Sequence, residues 1–403
     1  ALLGRRQQLI GVMPQSLQPG DEELRRARAL EMRLDPELRA LKAFGLSIRD
    51  WRQLAPSEIV TRCQTAHSAS PAQRALIANA IFVGTAQACF RGSYWAPSYS
   101  CPGADQISCR HLRPVSRLYT VGKVPHLEEQ QSHQGEALAK ITCHAHCHPL
   151  EACIRITHGQ GPQNRRVALV RFMGTGDVRN ESTSYSHLFE DQMFLRTTYF
   201  YAFERMAVDI GEALGAAIDA GGIVYTPDIG ILRGTLEEGA LWSREPTRVD
   251  VIWVGVKPRP LLGEQVQYAC EEDRAAMASA IERVFAVAAS QAVEALVFPP
   301  LGCGTHGCNH PALDVAQLLR EAVACHGQHF MEVAFASDAA AHFREGWWEA
   351  FEDALMNGRP PIEHTIPVQA PAFPLLPKGG AALAEKHQRL LQRSPRLHRE
   401  TFL

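Results

Sequence analysis

The stretch ALVFPPLGCGTHGCNHPALDVAQLL, residues 295–319, combines a short apolar run, a glycine-rich turn and an amphipathic segment. We predict a strand over Ala295–Phe298 and a helix that begins near Leu313. The glycines between them, at positions 302, 304 and 307, allow the backbone to approach a ligand closely, and the first amides of a helix favour anions. The turn matches neither a Walker A sequence nor a dinucleotide-binding fingerprint. We interpret it as a candidate phosphate-binding turn, with an ordinary tight turn as the alternative.

Other apolar runs extend this alternation of strands and helices over residues 71 to 355. Further strands are predicted at Val167–Phe172, Ile223–Tyr225, Val249–Val256 and Met331–Ala336, and helices at Gln192–Ala220, Arg274–Gln291 and Leu313–Ala324. The strands are rich in β-branched and aromatic residues without strict alternation, so we expect them to be buried on both faces. The pattern predicts a three-layer α/β/α fold with a mixed, largely parallel central sheet. Ligands of such sheets bind beyond the carboxyl ends of the strands.

The composition excludes several classes of protein. The chain has 403 residues, with 41 basic and 43 acidic side chains and a formal net charge of −2. General nucleic-acid binding needs a clustered basic surplus, so we do not expect it. No apolar stretch approaches the roughly 18 residues of a membrane-spanning helix, so no membrane span is expected. The 11 cysteines are too few and too unevenly spaced for a secreted disulfide scaffold, which favours free thiols in a reducing, intracellular compartment.

Both ends of the chain differ from this central region. Residues 1–70 are predicted to form a helical N-terminal extension, and residues 356–403 a proline-rich C-terminal arm. Because proline-rich segments lose little entropy when they bind in extended form, we expect the terminal arms to contact protein partners. The first twenty residues contain Arg5 and Arg6 but no acid. That composition is typical of the end of a mitochondrial or other organellar targeting sequence; a frayed or artificially cut end is the alternative.

Several segments of the central region, in order, resemble the microbial-type poly(ADP-ribose) glycohydrolases, a branch of the macrodomain fold. They are a helix and its following turn from Arg74 to Tyr94, the run Ile223–Arg233, the strand from Val249 to Pro258, the glycine-rich turn Leu301–Pro311 and the last strand, Phe330–Ala336. The resemblance covers roughly residues 72 to 355 and leaves both ends of the chain outside it. It implies a macrodomain-like core.

The resemblance also implies a ligand and the residues that bind it. ADP-ribose or a related nucleotide would lie across the carboxyl edge of the sheet. Its diphosphate would be bound by the turn residues Gly302, Cys303, Gly304, Thr305 and Gly307. Thr226 and Asp228 would lie in a neighbouring loop of the same cleft. No metal and no cofactor are expected.

The region corresponding to the family's catalytic loop departs from the family pattern. Active members have a triple glycine, then a glutamine followed by two glutamates at the start of a helix. Alignment on the run Arg196-Thr197-Thr198 places Phe189 at the glutamine and Glu190 and Asp191 at the two glutamates, and residues 174–182 contain no triple glycine. Glu190 and Asp191 are therefore the candidate catalytic acids. The alternative is that they only stabilise the positive N-terminus of a helix.

These departures determine the functional prediction. Hydrolysis of a ribosyl bond needs an acid that reaches the leaving oxygen, and Asp191 is one methylene shorter than the family's glutamate. We predict a divergent poly(ADP-ribose) glycohydrolase-like protein that binds ADP-ribose and has weak or no hydrolase activity. The alternative is a pseudoenzyme, a catalytically inactive structural subunit of a larger, organellar multiprotein assembly.

Two further groups of side chains suggest chemistry of their own. The run Cys143-His144-Ala145-His146-Cys147-His148 contains the ligand types that zinc prefers, but not the usual spacing of cysteine pairs. We interpret it as part of an amphipathic helix that begins near Glu136, with a structural zinc site as the alternative. Cys303 and His306 form a second candidate, a cysteine–histidine nucleophile, although two residues so close in sequence need an unusual turn to pair.

Overall fold

The structure is a computed structural model of the chain. It describes residues 81–82, 84–97, 104–125, 127, 139–159, 165–174, 189–210, 212–235, 240–257, 260–263, 267–300, 302–303, 310–337 and 347–358. The predicted N-terminal extension and all but the first residues of the proline-rich arm lie outside these ranges, so both predictions remain open. Within the described residues, no helix is both long enough and apolar enough to cross a membrane.

Helices and strands alternate along most of the described chain. The helices are α1 (helical at 81–82 and 84–91), α2 (Pro149–Thr157), α3 (Phe189–Arg196), α4 (Tyr199–Ile210), α5 (Glu212–Asp219), α6 (Glu271–Ser290), α7 (Ala312–His326) and α8 (Trp347–Asn357). The strands are β1 (Ser93–Pro97), β2 (Ala104–Ser108), β3 (Arg117–Tyr119), β4 (Lys140–Ala145), β5 (Val167–Gly174), β6 (Ile223–Arg233), β7 (Trp242–Val256), β8 (Ala295–Phe298) and β9 (Glu332–Ser337). Every predicted strand is present, and β6 and β7 extend well beyond their predicted bounds.

A seven-stranded mixed sheet forms the centre, in the order β3-β6-β7-β5-β8-β9-β4. Strands β7, β5, β8, β9 and β4 are parallel, and β6 is antiparallel to both of its neighbours. The carboxyl ends of the five parallel strands therefore meet at one edge of the sheet, which we call the carboxyl edge. Strands β1 and β2 form a separate antiparallel pair. The predicted α/β fold with a largely parallel central sheet is confirmed.

Two apolar cores cover the two faces of this sheet. Successive residues of the central strands alternate between them: Leu169 packs with α1 to α5, whereas its neighbour Val170 packs with α6 to α8. The same alternation occurs in β8, where Val297 faces the first core and Phe298 the second. Strands that bury both faces cannot show the polar alternation of a half-exposed strand, which explains their continuous apolar sequences.

The single helix predicted over Gln192–Ala220 is three helices in the structure. The first break lies at Thr197 and Thr198. The hydroxyl of Thr198 accepts a hydrogen bond from the Gly230 amide at 2.9 Å, and its own amide donates to the Gly230 carbonyl at 2.9 Å. Thr197 accepts from the Tyr199 amide at 3.0 Å, at the start of α4. A pairing with strand β6, distant in sequence, thus ends one helix, and a threonine hydroxyl begins the next.

The prediction of an amphipathic helix that begins near Glu136 is wrong. Residues Lys140–Ala145 form β4, the edge strand that pairs in parallel with β9. Cys143 packs with the core beneath α6 to α8, whereas His144, its neighbour in the strand, belongs to the opposite face because strand residues alternate. The next residues turn away from the sheet, and His148 caps α2 by accepting a hydrogen bond from the Leu150 amide at 3.1 Å. Pairing with β9 therefore overrides the helical pattern of the sequence.

Candidate site at the carboxyl edge

The carboxyl edge is formed by the segments that follow the parallel strands. After β5 comes the region 175–188, outside the described residues, and then α3. After β7 comes the connection 257–270, which leads into α6, and after β8 comes the glycine-rich turn, which leads into α7. The predicted phosphate-binding turn and the predicted acid helix therefore follow β8 and β5, which are adjacent in the sheet.

The described ends of the glycine-rich turn are tied together. Gly302 has φ of +63°, a left-handed conformation that favours glycine. The His310 amide donates to the Gly302 carbonyl at 3.0 Å, and Cys303 and His310 form an isolated parallel bridge. Cys303 is buried and packs in the core beneath α6 to α8. Gly304, Thr305, His306 and Gly307 lie outside the described residues.

The His310 ring connects this turn to the segment after β7. Its Nε2 lies 2.8 Å from the Lys257 carbonyl oxygen, and its Nδ1 lies 2.8 Å from the Tyr268 hydroxyl. A carbonyl oxygen only accepts hydrogen bonds, so Nε2 carries the proton. In the neutral ring Nδ1 is then an acceptor, and the Tyr268 hydroxyl donates to it. Burial lowers the pKa of His310 to about 4, which keeps the ring neutral at physiological pH.

The partners of His310 are themselves held in place. The Tyr268 amide donates to the Asp314 carboxylate at 2.8 Å, in the first turn of α7. Burial raises the pKa of the Tyr268 hydroxyl far above its usual value, so it remains a donor. The Lys257 ammonium donates to Asp273 at 2.6 Å, and this hydrogen bond is the main reason that the pKa of Asp273 is lowered. The connection after β7, the turn after β8 and the starts of α6 and α7 thus form one bonded unit.

The candidate acids Glu190 and Asp191 belong to the first turn of α3, where their backbone is helical. The other end of this helix is firmly attached to the core. The Arg196 guanidinium, buried at 1% exposure, forms an ion pair with Glu151 of α2 and donates to the Arg233 carbonyl at 3.1 Å. The Thr85 hydroxyl of α1 donates to the Leu195 carbonyl at 2.6 Å. The C-terminal end of α3 is thus attached to α1, α2 and β6.

Arg171 is a residue that the sequence analysis missed. It lies in β5 at 3% exposure, on the face covered by α3 and α4. Its guanidinium carbon lies 5.4 Å from the centre of the Phe194 ring and 5.1 Å from that of Tyr199. Both distances fit cation–π contacts, which stabilise a cation that has left water. An arginine inside the otherwise apolar run Val167–Phe172 was the signal in the sequence, because charged residues are rare in strands buried on both faces.

Thr226 and Asp228 do not lie in a loop of the cleft, so that prediction is wrong. Both belong to strand β6. Thr226 is paired with Val251, and the Asp228 amide donates to the Asp250 carboxylate at 2.9 Å. Asp250 is aligned with Ala168, near the amino end of β5, six residues before the carboxyl edge at Val256. At roughly 3.3 Å per residue the two aspartates are about 20 Å from that edge. The antiparallel direction of β6 causes this difference.

The metal alternative gains no support from the described residues. Within the ranges that the structure describes, no group of three or more histidine, cysteine, aspartate or glutamate side chains can hold a metal ion. His144 and Cys143 diverge because neighbouring strand residues point to opposite faces. The proposed pairing of Cys303 with His306 involves a residue outside the described ranges.

Comparison with known proteins identifies the fold. No protein-family model matches the sequence, and no curated protein matches it. Among solved structures, poly(ADP-ribose) glycohydrolase from Thermomonospora curvata is similar at 20% identity with a TM-score of 0.54, over 71% of this chain and 99% of that chain. Its complex with the inhibitor ADP-HPD gives 20% identity and a TM-score of 0.52, over 70% and 98% of the two chains. The chain therefore has a divergent form of the poly(ADP-ribose) glycohydrolase fold, as its sequence motifs predicted.

Proposed function

We propose that this protein binds ADP-ribose, or a nucleotide with the same diphosphate, at the carboxyl edge of its sheet, and that it hydrolyses poly(ADP-ribose) slowly or not at all. The observation that carries the proposal is the glycine-rich turn: it follows a central parallel strand and leads into a helix, in a chain with the glycohydrolase fold. Ligands of open α/β sheets bind at this edge.

The described ends of the turn support binding of an anion. Gly302, four residues after the end of β8, has a left-handed backbone and no side chain that would block a ligand. Pro311 is the N-cap residue of α7, and its side chain makes no hydrogen bond to the first amides of the helix. The first amides of a helix have no acceptors within the helix, and together with the helix dipole they attract negative charge. In this proposal the diphosphate is bound by Gly302, Cys303, Gly304, Thr305 and Gly307. Thr226 and Asp228 are not among its ligands.

Weak hydrolysis is proposed because of where the candidate acids lie. A general acid needs a raised pKa so that it carries a proton at neutral pH. Glu190 and Asp191 belong to the first turn of a helix, and the positive end of a helix favours the ionised form of a carboxyl group. Asp191 is also shorter than glutamate, and a displacement of about 1 Å can cost about a hundredfold in rate. Phe189, in addition, provides no amide where the family has glutamine.

Binding is tested by calorimetry with ADP-ribose on the wild type and on Gly304→Val. We expect the wild type to bind and Gly304→Val to lose binding without unfolding, because a β-branched side chain fills space that the phosphates need. Gly122→Val is the matched control: Gly122 has open space around its α-carbon. It also follows β3, four strands from β8 in the sheet, or about 19 Å. Equal affinity in the wild type and Gly304→Val, or no binding by either, would contradict the proposed site.

Catalysis is tested by following the shortening of poly(ADP-ribose) over time. We expect the wild type to differ little from the double variant Glu190→Gln/Asp191→Asn. A wild-type rate well above that of the double variant would show that these carboxylates are working acids and that the protein is a hydrolase. If the wild type shows neither binding nor hydrolysis, the nucleotide-binding proposal is rejected. That result would favour the alternative, a structural subunit of a larger assembly.

A further inference from the structure

We propose that His310 is a positioning residue for nucleotide binding, which holds the glycine-rich turn against the connection after β7. The inference rests on the proposed function, because it assigns a role to a residue that does not itself touch the ligand. It goes beyond that function because the family resemblance gives no role to His310, Tyr268 or Lys257.

The first reason is that His310 closes the turn through both its backbone and its ring. The backbone amide of His310 donates to the carbonyl of Gly302, eight residues earlier in the chain. The ring then joins the same point to the Lys257 carbonyl, just after β7. Strands β7 and β8 are not neighbours, since β5 lies between them. The ring thus joins the segments that follow the two strands on either side of β5, at the carboxyl edge of the sheet.

The second reason is that Tyr268, on the other side of this connection, is held by further hydrogen bonds. The described segments 261–263 and 267–269 pair with each other: the Ala269 amide donates to the Leu261 carbonyl at 2.8 Å, and Leu262 and Tyr268 form a bridge. The Leu261 amide donates to Asp273 at 3.1 Å, which attaches these paired segments to the start of α6. Tyr268 is therefore a fixed donor, and the hydrogen bond from its hydroxyl determines where the His310 ring lies.

The third reason is that the arrangement requires a neutral ring. With Nε2 donating to a carbonyl, protonation would place a second proton on Nδ1, opposite the Tyr268 hydroxyl that now donates to it. The charged or titratable groups around the ring are Lys257 and Asp273, and those around its partner Tyr268 are Cys303, Asp314, Asp273 and Arg274. Lys257 and Asp273 form an ion pair with each other, and the Asp273 charge favours a protonated ring less than burial opposes it. Burial lowers the pKa of the ring to about 4, which keeps the arrangement intact at neutral pH.

The test uses three variants of the full chain and one control. Tyr268→Phe removes only the hydroxyl, His310→Leu removes both ring contacts, and His310→Gln restores an amide donor where Nε2 lies. Tyr119→Phe is the control. The Tyr119 hydroxyl accepts a hydrogen bond from the Gln291 side-chain amide at 3.1 Å and lies on the edge strand β3, far from the turn. Affinity for ADP-ribose is measured by calorimetry between pH 5 and 8. Amide hydrogen exchange of the segment 299–313 is measured without ligand.

We expect Tyr268→Phe to weaken ADP-ribose binding about fivefold, since one hydrogen bond contributes about 1 kcal/mol. His310→Leu should weaken it more than tenfold, and His310→Gln should recover part of the loss. Exchange of the segment 299–313 should accelerate in the first two variants, with the melting temperature and the exchange of other segments nearly unchanged. Tyr119→Phe should match the wild type in both measurements.

The two proposals fail in different ways. If the wild type does not bind ADP-ribose, the proposed function is wrong, and faster exchange confined to 299–313 in His310→Leu still supports the anchoring role of His310. If the wild type binds, and His310→Leu and Tyr268→Phe bind equally tightly with unchanged exchange, the positioning role is wrong while the proposed function stands. A uniform loss of stability without rescue by His310→Gln would show a merely structural role and would also overturn the inference.

Discussion

At the scale of single residues, the buried carboxylate of Asp250 shows what Asp228 and its neighbours do instead of binding a ligand. Asp250 accepts hydrogen bonds from Arg166 at 2.8 Å, from the Tyr225 hydroxyl at 2.5 Å and from the Asp228 amide at 2.9 Å. These bonds lie at the level of the amino end of β5, where Ala168 pairs with Asp250, away from the carboxyl edge. These side chains hold the sheet together.

We therefore expect Asp250→Asn to lower the free energy of unfolding by about 2 to 3 kcal/mol, because it removes a charge partner and leaves a buried donor without an acceptor. Urea unfolding measures the change. The control is Asp105→Asn, whose ion pair with Arg244 is exposed on both sides and should contribute less than about 1 kcal/mol. Equal effects of the two substitutions would contradict the role assigned to Asp250.

Stability should also fall on mild acidification because of two buried histidines. Burial lowers the pKa of His310 to about 4, and burial together with the nearby Arg196 charge lowers that of His148 to about 3. A histidine in the unfolded chain has a pKa of about 6.5. Below that pH the unfolded chain therefore binds more protons than the folded one. The stabilisation is complete above pH 6.5 and decreases as the pH falls towards 4.

The measurement is the melting temperature at several pH values between 7.5 and 4.5. His310→Gln should show a smaller decrease over this interval than the wild type, because one of the titrating groups is gone. A decrease of the same size in both proteins would mean that His310 does not contribute. Asp273, with its lowered pKa, titrates below this interval and leaves the comparison unaffected.

At the scale of elements, the close approach of α5 to β7 depends on a residue without a side chain. A β-carbon at Gly255 would lie 2.2 Å from the Ile218 carbonyl oxygen, which belongs to the backbone of α5 and cannot move aside cheaply. We expect Gly255→Ala to destabilise the protein by about 2 to 3 kcal/mol through overpacking. Gly122→Ala, with no atom within 4 Å of its added carbon, should be neutral. Thermal unfolding of both variants checks the prediction, and a neutral Gly255→Ala would refute it.

At the scale of the whole molecule, the two cores should unfold together, because they share the strands of one sheet. Trp253 lies in the core beneath α1 to α5, whereas Trp347 and Trp348 pack against the core beneath α6 to α8. Two variants are unfolded in urea: Trp253→Phe, and the double variant Trp347→Phe/Trp348→Phe. In each variant we expect the midpoint measured by the remaining tryptophan fluorescence to coincide with the midpoint measured by far-ultraviolet circular dichroism. Separate midpoints within either variant would show that the two layers unfold independently.

The sequence was most informative where structure is local. The strand Ala295–Phe298 has the predicted bounds, and α7 and α6 begin within three residues of the predicted starts. It was least informative where a distant partner decides. The pairing of Thr198 with Gly230 divides a continuous helical pattern, and pairing with β9 makes a strand of Lys140–Ala145. The residues of the candidate site divide in the same way. Gly302 and Cys303 could be predicted from the glycine-rich turn, whereas no sequence motif pointed to Tyr268 or Lys257.

By itself, the sequence determined five of the described strands, the largely parallel α/β core they form, and the glycine-rich turn that follows β8. Each of these depends on apolar periodicity and on glycine, properties of residues close together in the chain. Only the tertiary structure decided which segments meet at that edge: it joined His310 to Lys257 and Tyr268, and it placed Asp228 at the opposite edge. The physical reason is that strand direction and register are fixed by hydrogen bonds and packing between residues far apart in sequence, which no local pattern records.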